Sequence, residues 1–157
     1  MLSIFSKDDS TIEKYVKDYV DIVKKMNTFD SEGIIEIPKA KDILGYDVNY
    51  LKDYLTAKEF QILSNILNSI EDCDNLLHGD PHLANVMLTN KGMVFIDLSD
   101  MRSGNGIFDL VYLNRTLIQF QKFPDKYALN KEQCKKLWTL FINELSISSS
   151  QHHYVNA

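Results

Sequence analysis

Between Thr11 and Met26 apolar side chains recur at steps of three and four: Ile12, Tyr15, Val16, Tyr19, Val20, Val23 and Met26. Lys14, Lys17, Asp18, Asp21 and Lys24 fall between them. That spacing puts the apolar set on one stripe of a helix and the charges on the opposite face, and Ser10 stands where an N-cap is expected. The period is lost over residues 28–46, where Gly33, Pro38 and Gly45 fall. This stretch reads as a connecting loop with one short extended piece at IIEI. A helical region is then expected from near Asp47 to Leu55. A stronger helix opens at Thr56, where TAKE spells a capping box: the Thr56 hydroxyl accepts from the Glu59 N–H while Glu59 reaches back. Phe60, Leu63, Ile66, Leu67 and Ile70 are its expected buried stripe, with an end near Glu71 or Asp72.

Two β-prone runs, VMLT and MVFI, flank Asn90-Lys91-Gly92 and predict a hairpin with glycine available for a positive φ. If the hairpin pivots on Lys91, Asn85 lies opposite Asp97, with Cα atoms roughly 4.5 to 5.5 Å apart. Beyond it, GNGIFDLVYLNRTLIQFQ reads as a glycine-flanked loop leading into a helix whose face carries Phe108, Val111, Tyr112, Arg115 and Ile118. Being apolar on most sides, that helix is expected to be central. A last helix is expected from Asn130, as N-cap, through Leu137, Trp138, Phe141 and Leu145, with residues 147–157 as a flexible polar tail. The expected fold class is mainly α with a small β-hairpin (α+β), in one domain over residues 1–157.

Composition narrows the function classes. At 157 residues and 45% hydrophobic content the chain suits one globular domain or one lobe of a larger one. Its net charge of -5, without a basic cluster of more than two, offers no footprint for a phosphate backbone, so no nucleic-acid partner is expected. The acidic balance would suit a cationic substrate, yet mild acidity is common enough in cytosolic proteins to carry little weight. Cys73 and Cys134 lie far apart without CxxC spacing and read as reduced thiols. No apolar run approaches the roughly 18 residues of a membrane span, and MLSIFSKDDST has no leader pattern. A cytoplasmic protein without membrane association is expected.

The candidate chemistry lies in residues 78–97, HGDPHLANVMLTNKGMVFID. Pro81 excludes a helix running through the loop, so His78 and His82 are not the i, i+4 pair of a helical zinc site. Each histidine reads as a hydrogen-bonder that braces the loop. Singly, Asp80, Asn85 and Asp97 would suit turns and caps. Together, brought to one place by the hairpin, they form a different pattern. An amide oxygen beside a carboxylate suits Mg²⁺, and a further carboxylate over the same spot can take the proton of an incoming hydroxyl.

These residues resemble a known family. HGDPHLAN resembles the H-G-D-x-H-x-x-N catalytic loop of the aminoglycoside phosphotransferase and choline kinase-like family, FIDLSD its I-D-x-x-D metal motif, and GIFDL the segment that opens a central helix. The resemblance covers roughly residues 76 to 113, with the catalytic loop at 78–85 and the metal motif at 96–100. It implies Asp80 as catalytic base, Asn85 and Asp97 as magnesium ligands, and His78, His82 and Asp109 as structural support of the catalytic loop. It also implies ATP as phosphoryl donor. Asp100 and Arg102, just past the metal motif, could face substrate, but solvated loop charges are the preferred reading. Leu83-Ala84 depart mildly from the family, many of whose members have a proline and a small residue there. No glycine-rich loop precedes His78, and Lys39 and Lys41 fall in a loop beside Pro38, so the chain is expected to be the C-terminal lobe of a protein-kinase-like fold without its N-terminal β-lobe.

The leading functional expectation is thus an ATP-dependent phosphotransferase C-lobe acting, in a complete enzyme, on a hydroxyl of a small molecule, and inactive or incomplete in isolation. The alternative is a non-catalytic module that binds a small molecule, a metal or a partner, with a homodimer partner or a separately encoded N-lobe covering the open face. A metal phosphohydrolase using Asp80, Asp97 and a histidine is the third.

Overall fold

Helix α1 (Asp9–Asn27) buries Ile12, Val16, Tyr19, Val20 and Val23, the stripe its three- and four-residue spacing predicts. The computed structural model describes residues 9–31, 37–123 and 131–145. Ser10 lies inside α1 instead of capping it. The expected N-cap Asn130, most of the extended piece IIEI and the polar tail fall outside the described residues.

Helix α2 (Ala40–Tyr50) begins where the lost period had suggested a loop, and a 3₁₀ turn at Leu51–Tyr54 continues it. Pro38 precedes the helix, where it disturbs no i→i−4 bond, and Lys39 is still extended at φ -73° and ψ 130°. Helix α3 (Ala57–Ser69) opens on the expected capping box: Glu59 N–H donates to Thr56 Oγ1 (3.3 Å) and Thr56 N–H to Glu59 Oε2 (2.8 Å). Its stripe is shallower than expected. Ile70, just past its end, is buried, while Phe60, Ile66 and Leu67 are half-buried and Leu63 is exposed, because α3 packs mainly on α2 at the edge of the molecule.

Strand β1 (Leu76–Leu77) pairs antiparallel with β4 (Arg102–Ser103), a two-residue ladder too short to announce itself in the sequence. Strands β2 (Val86–Thr89) and β3 (Gly92–Phe95) make the expected hairpin with a register one residue tighter than the pivot on Lys91. Thr89 pairs with Gly92 and Val86 with Phe95. Gly92 adopts φ 116° and still pairs, while the Thr89 hydroxyl donates to the Gly92 carbonyl (2.8 Å) and accepts from Lys91 N–H (3.1 Å). Asn85 is therefore opposite Ile96, whose N–H donates to its carbonyl at 2.9 Å, and Asp97 is the next residue along.

Helices α4 (Ile107–Lys122) and α5 (Lys131–Leu145) pack on each other, and α5 also packs on α1. On α4 the buried apolar positions are Ile107, Phe108, Leu113 and Leu117, whereas the expected Val111 and Ile118 are exposed. The larger core joins α1, Leu83, the hairpin residues Val86 and Met93, Leu113, Leu117 and the α5 residues Cys134, Leu137 and Phe141. A smaller one gathers Ala40, Ile70, Leu77, Ile107 and Phe108, with Trp138 touching both. The architecture of the described residues is mainly helical with a small antiparallel hairpin and a two-residue antiparallel ladder, α+β. Among the described residues no helix is long and apolar enough to cross a membrane.

Candidate active site

The 78–85 loop leaves β1 at His78, and its shape follows from a few residues. Gly79 sits at φ 83°, and a Cβ there would lie 1.7 Å from the Asp100 carbonyl oxygen, so a side chain is excluded on both counts. His82 N–H donates to the Asp80 carbonyl (2.8 Å), which turns the chain around Pro81. His82 then caps the 3₁₀ turn Leu83–Asn85, its Nδ1 accepting from Ala84 N–H at 3.1 Å.

Three side chains hold this loop from below. Asp109 of α4 is buried and accepts from His78 N–H (3.0 Å) through Oδ2 and from Gly79 N–H (2.9 Å) through Oδ1. Burial pushes its carboxyl above the ordinary value, and the N–H groups of Gly79 and His78 and the Asn27 amide oppose that shift. Asn27 of α1 donates to the Leu76 carbonyl (3.1 Å) and reaches Asp109 Oδ2 at 3.5 Å. Tyr19, wholly buried with its hydroxyl pKa raised well above 10 by burial, donates to the Pro81 carbonyl and packs edge-on against Phe95 and Phe141. The α1 period marks Tyr19 only as core; nothing in the local sequence signals that its hydroxyl reaches the loop.

His78 links the loop to the segment bearing Asp97. Its Nδ1 accepts from Asp80 N–H at 3.3 Å, so the ring proton sits on Nε2 and is donated to the Ile96 carbonyl at 3.1 Å. The ring is fully buried and packs edge-on against Phe95 at 4.5 Å.

Asp80, Asn85 and Asp97 fall at neighbouring points of this frame. Asn85 Nδ2 donates to the Asp80 carbonyl (3.0 Å) and to Asp80 Oδ2 (3.3 Å), and His82 Nε2 lies 3.4 Å from the same Oδ2. Asp80 Oδ1 and Asn85 Oδ1 have no partner among the described residues. Asp97 adopts φ 58°, a left-handed backbone rare outside glycine, which turns it out of the β3 line. Its Oδ1 accepts from the Ser99 hydroxyl (2.9 Å) and its Oδ2 has no described partner. Asn85 and Asp97 thus each present an oxygen without a described partner, donors of the hard kind that Mg²⁺ takes beside phosphate and water oxygens. No three His, Cys, Asp or Glu side chains converge among the described residues. A hydrolase centre of Asp80, Asp97 and a histidine around one metal therefore finds no geometric support.

A cavity of about 510 Å³ opens beside the loop. Gly79, Asp80 and His82 form one wall, α4 another through Phe108, Tyr112, Arg115, Thr116 and Gln119, and α2 a third through Ala40, Ile43 and Leu44. Asp100 and Arg102, read from sequence as solvated charges, line it as well and pair at 3.2 Å. Asn85 and Asp97 do not line it. Asp80, which accepts from Asn85 Nδ2, is the residue of the three that lines it. Lys39 and Lys41 are engaged elsewhere, with Asp74 (3.3 Å) and Asp72 (3.4 Å).

No curated protein matches the chain. The sequence model of the phosphotransferase enzyme family matches residues 8–131, a stretch that takes in α1, the 78–85 loop, the hairpin and α4, and the chain belongs to that family.

Proposed function

We propose that this chain carries the catalytic half of an ATP-dependent phosphotransferase that acts on a hydroxyl group of a small molecule. The observation that supports this most directly is the position of Asp80 on the cavity wall, with one carboxylate oxygen held by Asn85 and beside His82 and the other without a partner among the described residues. In the reaction the acceptor hydroxyl oxygen bonds to the γ-phosphorus, and the bond from that phosphorus to the β–γ bridging oxygen breaks. The bond's electron pair leaves on ADP, and the hydroxyl proton passes to Asp80.

A magnesium ion at Asn85 and Asp97 would offset phosphate charge as it builds up in the transition state. The chain's own residues do the rest. His78 and Asp109 fix the backbone on either side of Asp80, and Asn85 and His82 orient its carboxylate.

The reading includes a covering element outside the described residues. Lys39 and Lys41 are paired with aspartates, so neither is free for phosphate. Met87, Val94 and Ile96 lie on one exposed side of the hairpin, an apolar face suited to a second body. That body is a β-rich lobe in the same polypeptide, a separate chain or a second copy. The same face supports an alternative reading, a non-catalytic module that binds through it.

Calorimetric titration of Mg²⁺-ATP, with Asp97→Ala as control, separates the two. Micromolar binding that the variant loses supports the phosphotransferase, and Asp80→Asn is then expected to lower turnover by about 10²–10⁴-fold with the fold intact. Absence of binding at millimolar nucleotide, together with an oligomer that buries the hairpin face, supports the module.

A further inference from the structure

The chain has two arginines, Arg102 and Arg115, and both line the cavity that Asp80 faces, whereas no lysine does. Their situations differ. Arg102 is engaged, with Nη2 3.2 Å from Asp100 Oδ1 and Nη1 donating to the Met101 carbonyl at 2.9 Å. Arg115 has no hydrogen-bond or ion-pair partner among the described residues. Arg115 is exposed at the cavity wall, and in a chain of net charge -5, with acidic groups in excess, its guanidinium has no described carboxylate beside it. Its planar fork of five donors matches carboxylate or phosphate oxygens two at a time.

The cavity's acidic groups are otherwise accounted for. Asp100 is neutralised by Arg102, and Asp109 is occupied by two backbone N–H groups. Two poles remain open, the free oxygen of Asp80 and the Arg115 guanidinium. Arg115 lies six residues beyond Asp109 on α4, roughly 9 Å along the helix axis, and Asp109 holds the N–H of Gly79, the residue before Asp80. Both poles line the same cavity of about 510 Å³, room for a small polyhydroxylated molecule to touch each. Ile43, Leu44 and Phe108 of the same lining supply an apolar wall for a carbon chain.

We infer that the cavity takes a hydroxylated small molecule bearing an anionic group, its hydroxyl at Asp80 and its carboxylate or phosphate at Arg115, which makes Arg115 the specificity-determining residue. The inference rests on Asp80 being the group that receives the acceptor hydroxyl. It assigns the cavity an anionic ligand although the whole chain is acidic.

The test uses the full chain without nucleotide. Gluconate, glucose 6-phosphate, neutral sorbitol and cationic glucosamine are titrated in turn, with binding read by ligand-observed NMR, against the natural chain, Arg115→Gln and Arg115→Glu. One of the two anions should bind at least about tenfold more tightly than sorbitol, the effect of one charge-assisted contact. Which anion it is tells carboxylate from phosphate. Arg115→Gln should abolish that preference, and Arg115→Glu should turn it toward glucosamine, a reversal that mere loss of packing does not produce. Equal binding of all four probes, a preference for glucosamine in the natural chain, no binding of either anion at millimolar concentration, or an anion preference that survives Arg115→Gln overturns the inference. Because no nucleotide is present, an Arg115-dependent anion site without Mg²⁺-ATP binding would sink the phosphotransferase reading alone.

Discussion

A methyl group on Gly79 would meet the Asp100 carbonyl oxygen at 1.7 Å, in a backbone already at φ 83°. Both effects act on the loop that bears Asp80, and the neighbour is backbone, which cannot swing aside. Gly79→Ala is therefore expected to cost about 3 kcal/mol or more in urea denaturation. A loss under about 1 kcal/mol would mean that the loop tolerates another path. At this scale the sequence marks the loop residues well, because HGDPHLAN carries its punctuation in Gly79 and Pro81. It does not mark Tyr19 or Asn27. Their contacts with the loop cross more than 45 residues of chain, Tyr19 to Pro81 and Asn27 to Leu76, so no local pattern encodes them.

Among the elements, α2 departs furthest from the hydrophobic pattern. Ala40 is buried and Leu44 packs on the smaller core, yet Tyr46 and Tyr50 of the same helix are exposed, so the apolar stripe is blurred. Gly45 adds a breaker in mid-helix. A Cβ at Gly45 would meet Leu67 Cδ2 at 3.8 Å, an ordinary contact, and the helical backbone accepts alanine. Gly45→Ala is accordingly expected to stabilise the protein by about 0.5–1 kcal/mol, seen as a higher urea midpoint at unchanged m-value. Destabilisation would show that the packing of α2 on α3 needs the glycine. The α3 capping box and the α1 stripe were legible because each is a local rule. The register of β2–β3 was not, since it turned on whether Gly92 joins the ladder.

Across the whole molecule, Asp109 couples two parts of the chain through a buried charge. Its pKa in the folded state is raised above the ordinary 3.8, so between these two values the native state holds more protons than the unfolded chain. Its contribution to stability therefore falls as pH rises from about 3.8 through the raised value, and levels above it. Asp109→Asn keeps one acceptor for two N–H donors and is expected to cost about 1–3 kcal/mol. The deficit relative to the natural chain should shrink as pH rises through that window. Melting temperatures of the two proteins across this pH range check the sign, and a deficit that grows with pH would contradict the burial account.

The sequence by itself determined the helical character of the chain, the capping box, the presence of a hairpin after a glycine-proline loop, and the set of residues with chemistry to offer. Each depends on neighbours within a few positions, where periodicity, caps and turn chemistry act. Only the tertiary structure decided which side chains brace that set, that Asp100 and Arg102 line a cavity with Asp80, and that Arg115 stands on its wall without a partner among the described residues. These outcomes depend on which faces of α1, α2 and α4 meet. That is a property of side-chain packing between distant segments, and the spacing within any one segment does not contain it.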